Sequence, residues 1–137
     1  LALIVSMQKA LELALGNEKS HFEKVKTYNE QIRQALATYP EVLINSVEEV
    51  TSPYILNISL KGLKALNMQQ QLEAREIFVS TKSACVTPNT PSRPVLAMTG
   101  ERKRALSTLR ISLSHLTTQE EIDGFIEGFR ACYHELK

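Results

Sequence analysis

Cysteine is scarce in this chain, at two residues among 137, which excludes a disulfide-built scaffold. At this length folding buries roughly two-thirds of the surface that the unfolded chain exposes, enough for one globular domain without cross-links or a structural metal. Charge of one sign is lacking as well. Sixteen Lys plus Arg face fifteen Asp plus Glu for a formal net charge of +1, and the basic residues are interspersed with acids. That balance offers no footprint for a nucleic-acid backbone or an anionic membrane, so neither is an expected partner. No apolar run approaches the roughly 20 residues of a membrane span, and the first segment has neither a charged n-region nor a cleavage site. The expected setting is the cytoplasm. There is no G-x-G-x-x-G, no P-loop and no G-x-S-x-G, which leaves dinucleotide, nucleotide-phosphate and serine-hydrolase chemistry without support. Internal repeats and low-complexity tracts are absent too. Nor does the chain open on Met: it begins at Leu1, with Leu3, Met7, Ala10, Leu11 and Ala14 already at helical spacing and no cap residue ahead of them. Such an opening reads as a piece of a longer protein.

What is present is a change of period along the chain. Apolar spacing predicts a helix over residues 1–15, stopped at Gly16-Asn17, and a second over residues 20–39 with Ser20 as N-cap and Glu23 three residues on. Pro40 ends it, and strands follow: a short one over 42–45 and a longer one over 54–60. In the longer strand Tyr54, Leu56, Ile58 and Leu60 share one face, and Ile55, Asn57 and Ser59 the other. Ala65, Met68 and Leu72 suit a short helix, and Ile77-Phe78-Val79 a compact buried strand. The stretch 80–93, STKSACVTPNTPSR, is a loop by its prolines and small polar residues. A helical turn near Val95–Met98 should end at Gly100. Residues 107–113 alternate, with Leu109, Ile111 and Leu113 apolar and Thr108, Arg110 and Ser112 polar. Thr117 with Glu120 reads as the capping box of a last helix striped by Ile122, Phe125, Ile126, Phe129, Cys132, Tyr133 and Leu136. The order implies an α+β fold, a small mixed β-sheet with helices packed on it.

The two cysteines separate by context. Cys132 lies on an apolar helical stripe, as a small buried hydrophobe does, whereas Cys85 sits among small residues in a proline-stiffened loop where a reactive thiol would be found. Lys82, three residues away, could favour the thiolate or be merely solvated. Arg110 stands mid-strand, where burial would demand a carboxylate or phosphate partner; a salt bridge within the fold or plain exposure on an uncovered face would account for it equally. Asn57 and Ser59 would line the same surface if both strands share a sheet. His21, His115 and His134 show no metal-ligand spacing, and Cys132 and His134, two apart on a helix, diverge by roughly 200°. No metal is expected.

Together, residues 53–62 (PYILNISLKG), 79–86 (VSTKSACV), 92–98 (SRPVLAM) and 107–125 (STLRISLSHLTTQEEIDGF) resemble the C-terminal part of a cysteine desulfurase, a pyridoxal-phosphate enzyme of the class V aminotransferase family. The resemblance covers nearly the whole chain and rests on four motifs in order. It implies a helical segment over 1–39 that links from a large domain, then a small α+β domain over 40–137 with a catalytic-cysteine loop at 80–93. It also implies that Cys85 is the nucleophile and that Arg110 clamps the substrate's α-carboxylate, while Asn57 belongs to a strand approaching the active site. Free L-cysteine would give alanine, leaving a persulfide on Cys85 for a sulfur-acceptor protein in iron–sulfur assembly or thiolation. The whole enzyme would be a homodimer. A thiolate suits attack on sulfur, and delivery suits a movable arm.

Two departures from that pattern stand out. Lys82 replaces the glycine usual before Ser83, and none of the nine lysines lies in an S-x-H-K context for the cofactor's Schiff base. The chain alone is therefore expected neither to hold pyridoxal phosphate nor to turn over. Two other readings remain: another class V relative acting on a different amino acid, or a non-catalytic persulfide-relay module. A large domain with the cofactor lysine encoded upstream would favour the enzyme, and a start codon near Leu1 the relay.

Overall fold

The computed structural model describes residues 1–81 and 90–137. Its elements run α1 (Ala2–Leu36), β1 (Val42–Ile44), β2 (Ile55–Leu60), α2 (Ala65–Glu73), α3 (Arg93–Thr99), α4 (Arg102–Leu106), β3 (Thr108–Ser112) and α5 (Gln119–Leu136). The α+β class is as expected. Within it the three strands, ordered β1-β2-β3, pair antiparallel at both junctions instead of forming a mixed sheet. Side-chain alternation shows which face of a strand is apolar but carries nothing about strand direction.

One face of the sheet is the core. Leu56, Ile58 and Leu60 of β2 and Leu109 and Ile111 of β3 are buried against Ile32 and Leu36 of α1, Met68 and Leu72 of α2, and Ile122, Phe125, Phe129 and Cys132 of α5. Each such fully buried aliphatic or aromatic side chain contributes about 1.5–3 kcal/mol relative to exposure. Among the described residues, no helix is long and apolar enough to cross a membrane.

Four local expectations change. The break at Gly16-Asn17 does not occur, and α1 is continuous over 35 residues. A mid-helix glycine costs only about 1 kcal/mol, and Asn17 stays in the helix by donating its side-chain amide to the Leu13 carbonyl at 2.9 Å. Ser20 likewise donates back to the Asn17 carbonyl instead of capping. Residues 77–79 form no strand, because the chain there closes α2. The Ile77 amide reaches the Leu72 carbonyl at 3.0 Å and the Glu76 amide the Glu73 carbonyl at 2.9 Å, with Glu76 at φ 60°. This is a Schellman turn, with a glutamate in the place glycine usually takes. Phe78 is consequently exposed. The capping box of α5 is Thr118 with Glu121, one residue later than expected, since the Thr117 hydroxyl is engaged by the Ser114 amide at 3.0 Å. Finally, α4 is an additional helix, while α3 ends as expected at Gly100, left-handed at φ 69°.

The far end of the sheet is tied by an ionic cluster. Lys137 reaches Glu41 at 2.8 Å, and the Tyr133 hydroxyl donates to the same carboxylate. Lys137 first, and Tyr133 second, hold the Glu41 carboxyl down at about 2 from its ordinary 4.5. A depressed carboxylate supplies stability that is fully present above its unfolded value and lost as pH falls through its folded one. The thermal midpoint of the chain should therefore drop between about pH 4.5 and pH 2, and the drop should be shallower in Glu41→Gln. Parallel melting curves for the two proteins would remove this cluster from acid unfolding.

Candidate functional site

The second face of the sheet is polar. Antiparallel register sets Asn57 opposite Arg110, Ser59 opposite Thr108 and Ile55 opposite Ser112, so the two strands do share the surface that their alternation suggests. The face has two ends. At one, α4 lies over the sheet and buries Ser59 and Thr108, with the Ser59 hydroxyl donating to the Arg104 carbonyl at 2.9 Å. At the other, Asn57 is half-buried and Arg110 and Ser112 are exposed. Ser59, on the same strand face as Asn57, serves the covered end instead.

Arg110 is exposed, so the partner that a buried mid-strand arginine would demand is not required. Among the described residues it makes no ion pair, and its guanidinium approaches only the Ser80 hydroxyl, at 3.5 Å. Its backbone is fixed from both sides. Beyond the pairing with β2, the Ser80 amide donates to the Arg110 carbonyl at 3.1 Å and the Arg110 amide to the Ser80 carbonyl at 2.6 Å. The Thr108 hydroxyl adds a bond to the Thr81 carbonyl at 3.3 Å. At the other side of the 80–93 stretch, the Ser92 amide donates to the Ala105 carbonyl at 2.8 Å. Cys85 and Lys82 lie outside the described residues.

Two residues that sequence reasoning did not single out complete the site. Asn45, 6% exposed, donates its amide to the Asn57 side-chain oxygen at 2.7 Å and to the Ser59 hydroxyl at 2.8 Å. Arg104 donates Nε to the Asn45 side-chain oxygen at 2.7 Å and Nη2 to the Ile44 carbonyl at 3.3 Å. The Asn57 backbone amide is met by the Ser46 hydroxyl at 2.9 Å. Arg104 lies in a charged ERKR run and Asn45 closes the short strand expected over 42–45, and neither context carries a signal for a site. Only the tertiary pairing reveals their convergence.

The remaining candidates disperse. Cys132 is fully buried in the core, and burial pushes its thiol up from its ordinary value. His21 and His115, distant in sequence, stack with ring centroids 4.4 Å apart, yet among the described residues no group of three potential ligands forms. The two strands of this face carry no side chain able to form the Schiff base of pyridoxal phosphate. No lysine stands on β2 or β3 to reach the polar face, and Lys9, Lys26 and Lys137 are occupied by Glu12, Glu30 and Glu41. What this surface offers is a set of donors suited to an anion.

The model of the family described as aminotransferase class-V matches residues 1–125. The chain belongs to the class-V aminotransferase family. Among its curated relatives it is 33% identical over 135 residues to a NifS/IcsS protein homolog of Lactobacillus delbrueckii subsp. bulgaricus, an alignment covering 97% of this chain and 35% of that protein. It is also 33% identical over 128 residues to a cysteine desulfurase IscS of Clostridium botulinum, covering 90% of this chain and 32% of the relative. Among solved structures, a NifS-like protein from Rickettsia africae superposes with a TM-score of 0.73 at 30% identity, over 89% of this chain and 31% of that one. The chain thus spans about a third of the length of the relatives it matches.

The contrast between the cysteines is testable on the folded chain. Cys132 should resist a thiol-labelling reagent until denaturant unfolds the core, because both access and thiolate formation are suppressed. Labelling of Cys132 at the rate of a free thiol in native buffer would contradict its burial.

Proposed function

We propose that the chain is the C-terminal third of a cysteine desulfurase, whose substrate is free L-cysteine and whose products are alanine and a persulfide on Cys85. The observation that carries this reading is the juxtaposition at β3. Arg110 is exposed on the polar face beside Asn57 and makes no ion pair among the described residues, and its own backbone is bonded to Ser80, five positions before Cys85 in the S-A-C motif. The family match and the relatives named cysteine desulfurase support it.

In this reading each residue has a defined task. Arg110 presents a rigid fork to the α-carboxylate of the amino acid and fixes it for near-attack geometry. Asn57 adds a neutral donor from the neighbouring strand. The Cys85 thiolate attacks the substrate sulfur, its new S–S bond replacing the Cβ–S bond, whose electron pair stays with Cβ and is protonated to give alanine; nucleophile and carrier are thus one atom. Pyridoxal phosphate would be held by residues outside this chain and would supply the electron sink for the amino acid's chemistry. A sulfur-acceptor protein then takes the sulfane sulfur. We assign the enzyme to the cytoplasm as a homodimer, since a reducing compartment keeps Cys85 a thiol between turnovers.

The face of α1 supports the proposed domain arrangement. Its buried residues Val25, Asn29, Ile32 and Leu36 define one face, and stepping back by threes and fours along that face meets Ala14, Leu11, Met7 and Leu3. Leu3, Met7 and Leu11 are 85%, 73% and 56% exposed. Apolar residues recur along this face on both sides of His21 and Glu18, but only its second half has the sheet domain to cover it. We assign residues 1–39 to the link between a large cofactor domain and the small domain over 40–137, with the first half of α1 buried against the former.

In the complete enzyme Cys85→Ala should abolish sulfide release while leaving cofactor content unchanged. Arg110→Ala should raise KM for cysteine by about 10–100-fold, the range expected for losing a charged hydrogen-bonding partner. Sulfide release surviving in Cys85→Ala, or an unchanged KM in Arg110→Ala, would refute the corresponding role. The 137-residue chain mixed with pyridoxal phosphate should develop no absorbance band of a lysine-bound cofactor; its appearance would place the cofactor site within these residues.

A further inference from the structure

The donors and acceptors around Asn57 leave no freedom in how its amide points. A guanidinium can only donate, so the Arg104 Nε bond at 2.7 Å identifies the facing Asn45 atom as the carbonyl oxygen. The Asn45 NH2 must then face the other way, towards Asn57 and Ser59. Ser59 spends its own proton on the Arg104 carbonyl at 2.9 Å, so it meets Asn45 with a lone pair, at 2.8 Å. Asn57, at 2.7 Å from the same NH2, must present its carbonyl oxygen. Its own NH2 is what remains. Among the described residues that group has no hydrogen-bond partner, and it lies on the face where Arg110 is the cross-strand neighbour.

From this we infer that Arg104 and Asn45 are positioning residues: they form a relay that holds the Asn57 amide with its NH2 towards the open face, so that Asn57 and Arg110 together present donors and no acceptor to a carboxylate. The opposite orientation would place the Asn57 carbonyl oxygen beside Arg110, where it would accept from the guanidinium and repel a carboxylate. The relay therefore supplies one donor and keeps the other free. Arg104 suits this task because its guanidinium offers donors only, in a rigid fork, and its side chain is largely buried, at 21% exposure. The inference rests on the reading of this face as the site of the amino acid's carboxylate.

Asn45→Asp tests it with almost no change of shape. Aspartate offers oxygens on both sides, so Arg104 keeps its bond while Asn57 must turn its NH2 inward to donate to the new carboxylate. In the isotope-labelled 137-residue chain, hydrogen exchange of the Asn57 side-chain NH2 should slow by at least about tenfold as those protons become hydrogen-bonded. In the complete enzyme KM for cysteine should rise by about 10-fold or more, as for loss of a donor to a charged group, with cofactor content unchanged. Should Asn45→Asp not fold, Arg104→Met frees Asn45 to take either orientation and should give intermediate exchange, with Arg104→Lys restoring the original rate. Unchanged Asn57 exchange in these variants overturns the relay. Slowed exchange with an unchanged KM overturns instead the assignment of this face to the carboxylate.

Discussion

The register between β2 and β3 is the constraint on which the rest of the molecule depends. Leu56 lies opposite Ile111 and Asn57 opposite Arg110, so one pairing sends two aliphatic side chains into the core and the next sends two donors to the opposite surface. A slip of one residue would exchange the faces, forcing a guanidinium into a core of Met68, Leu72 and Phe129 and exposing the aliphatic set. The hydrophobic gain on one side thus fixes the chemistry on the other. Arg110 need not be stabilised by a partner of its own, because Leu109 and Ile111 on either side of it are buried and hold the strand.

Around that strand pair, secondary structure divides the labour. The second half of α1, with α2 and α5, closes the apolar face. On the polar face α4 covers only the end at Ser59 and Thr108, and it brings Arg104 across to Asn45. Backbone bonds from Ser80 and Ser92 tie both sides of the 80–93 stretch to β3 and α4. Ser80 and Ser92 are thus held by the same two elements that organise the donors. On the proposed reading, a nucleophile in that stretch and a clamp on a strand answer different needs, since one would travel with sulfur and the other would stay fixed.

The sequence made the faces legible and left the directions and convergences hidden. Alternation over 54–60 and 107–113 identified which residues of each strand share a surface, and the stripe of α5 placed Cys132 in the core, because burial imposes a period that survives in the sequence. Local signals misled where a residue had a use that spacing cannot show. Gly16-Asn17 reads as a stop, yet Asn17 finds its acceptor within the helix; Ile77 reads as a strand residue, yet it completes the turn that ends α2. At the site, Asn57 and Arg110 could be named from alternation and motif. Asn45 and Arg104 could not, since they lie 59 positions apart and meet only through the fold.

The central claim of the proposed function is that the polar face and Cys85 belong to one reaction, in which sulfur from the bound amino acid ends on Cys85. Intact and peptide mass spectrometry of the complete enzyme after a single turnover with L-cysteine tests it most directly. The account predicts one added sulfur, mapped to the peptide containing Cys85 and absent from that containing Cys132. Sulfur released as alanine forms, with no adduct on Cys85 at any time, would contradict it.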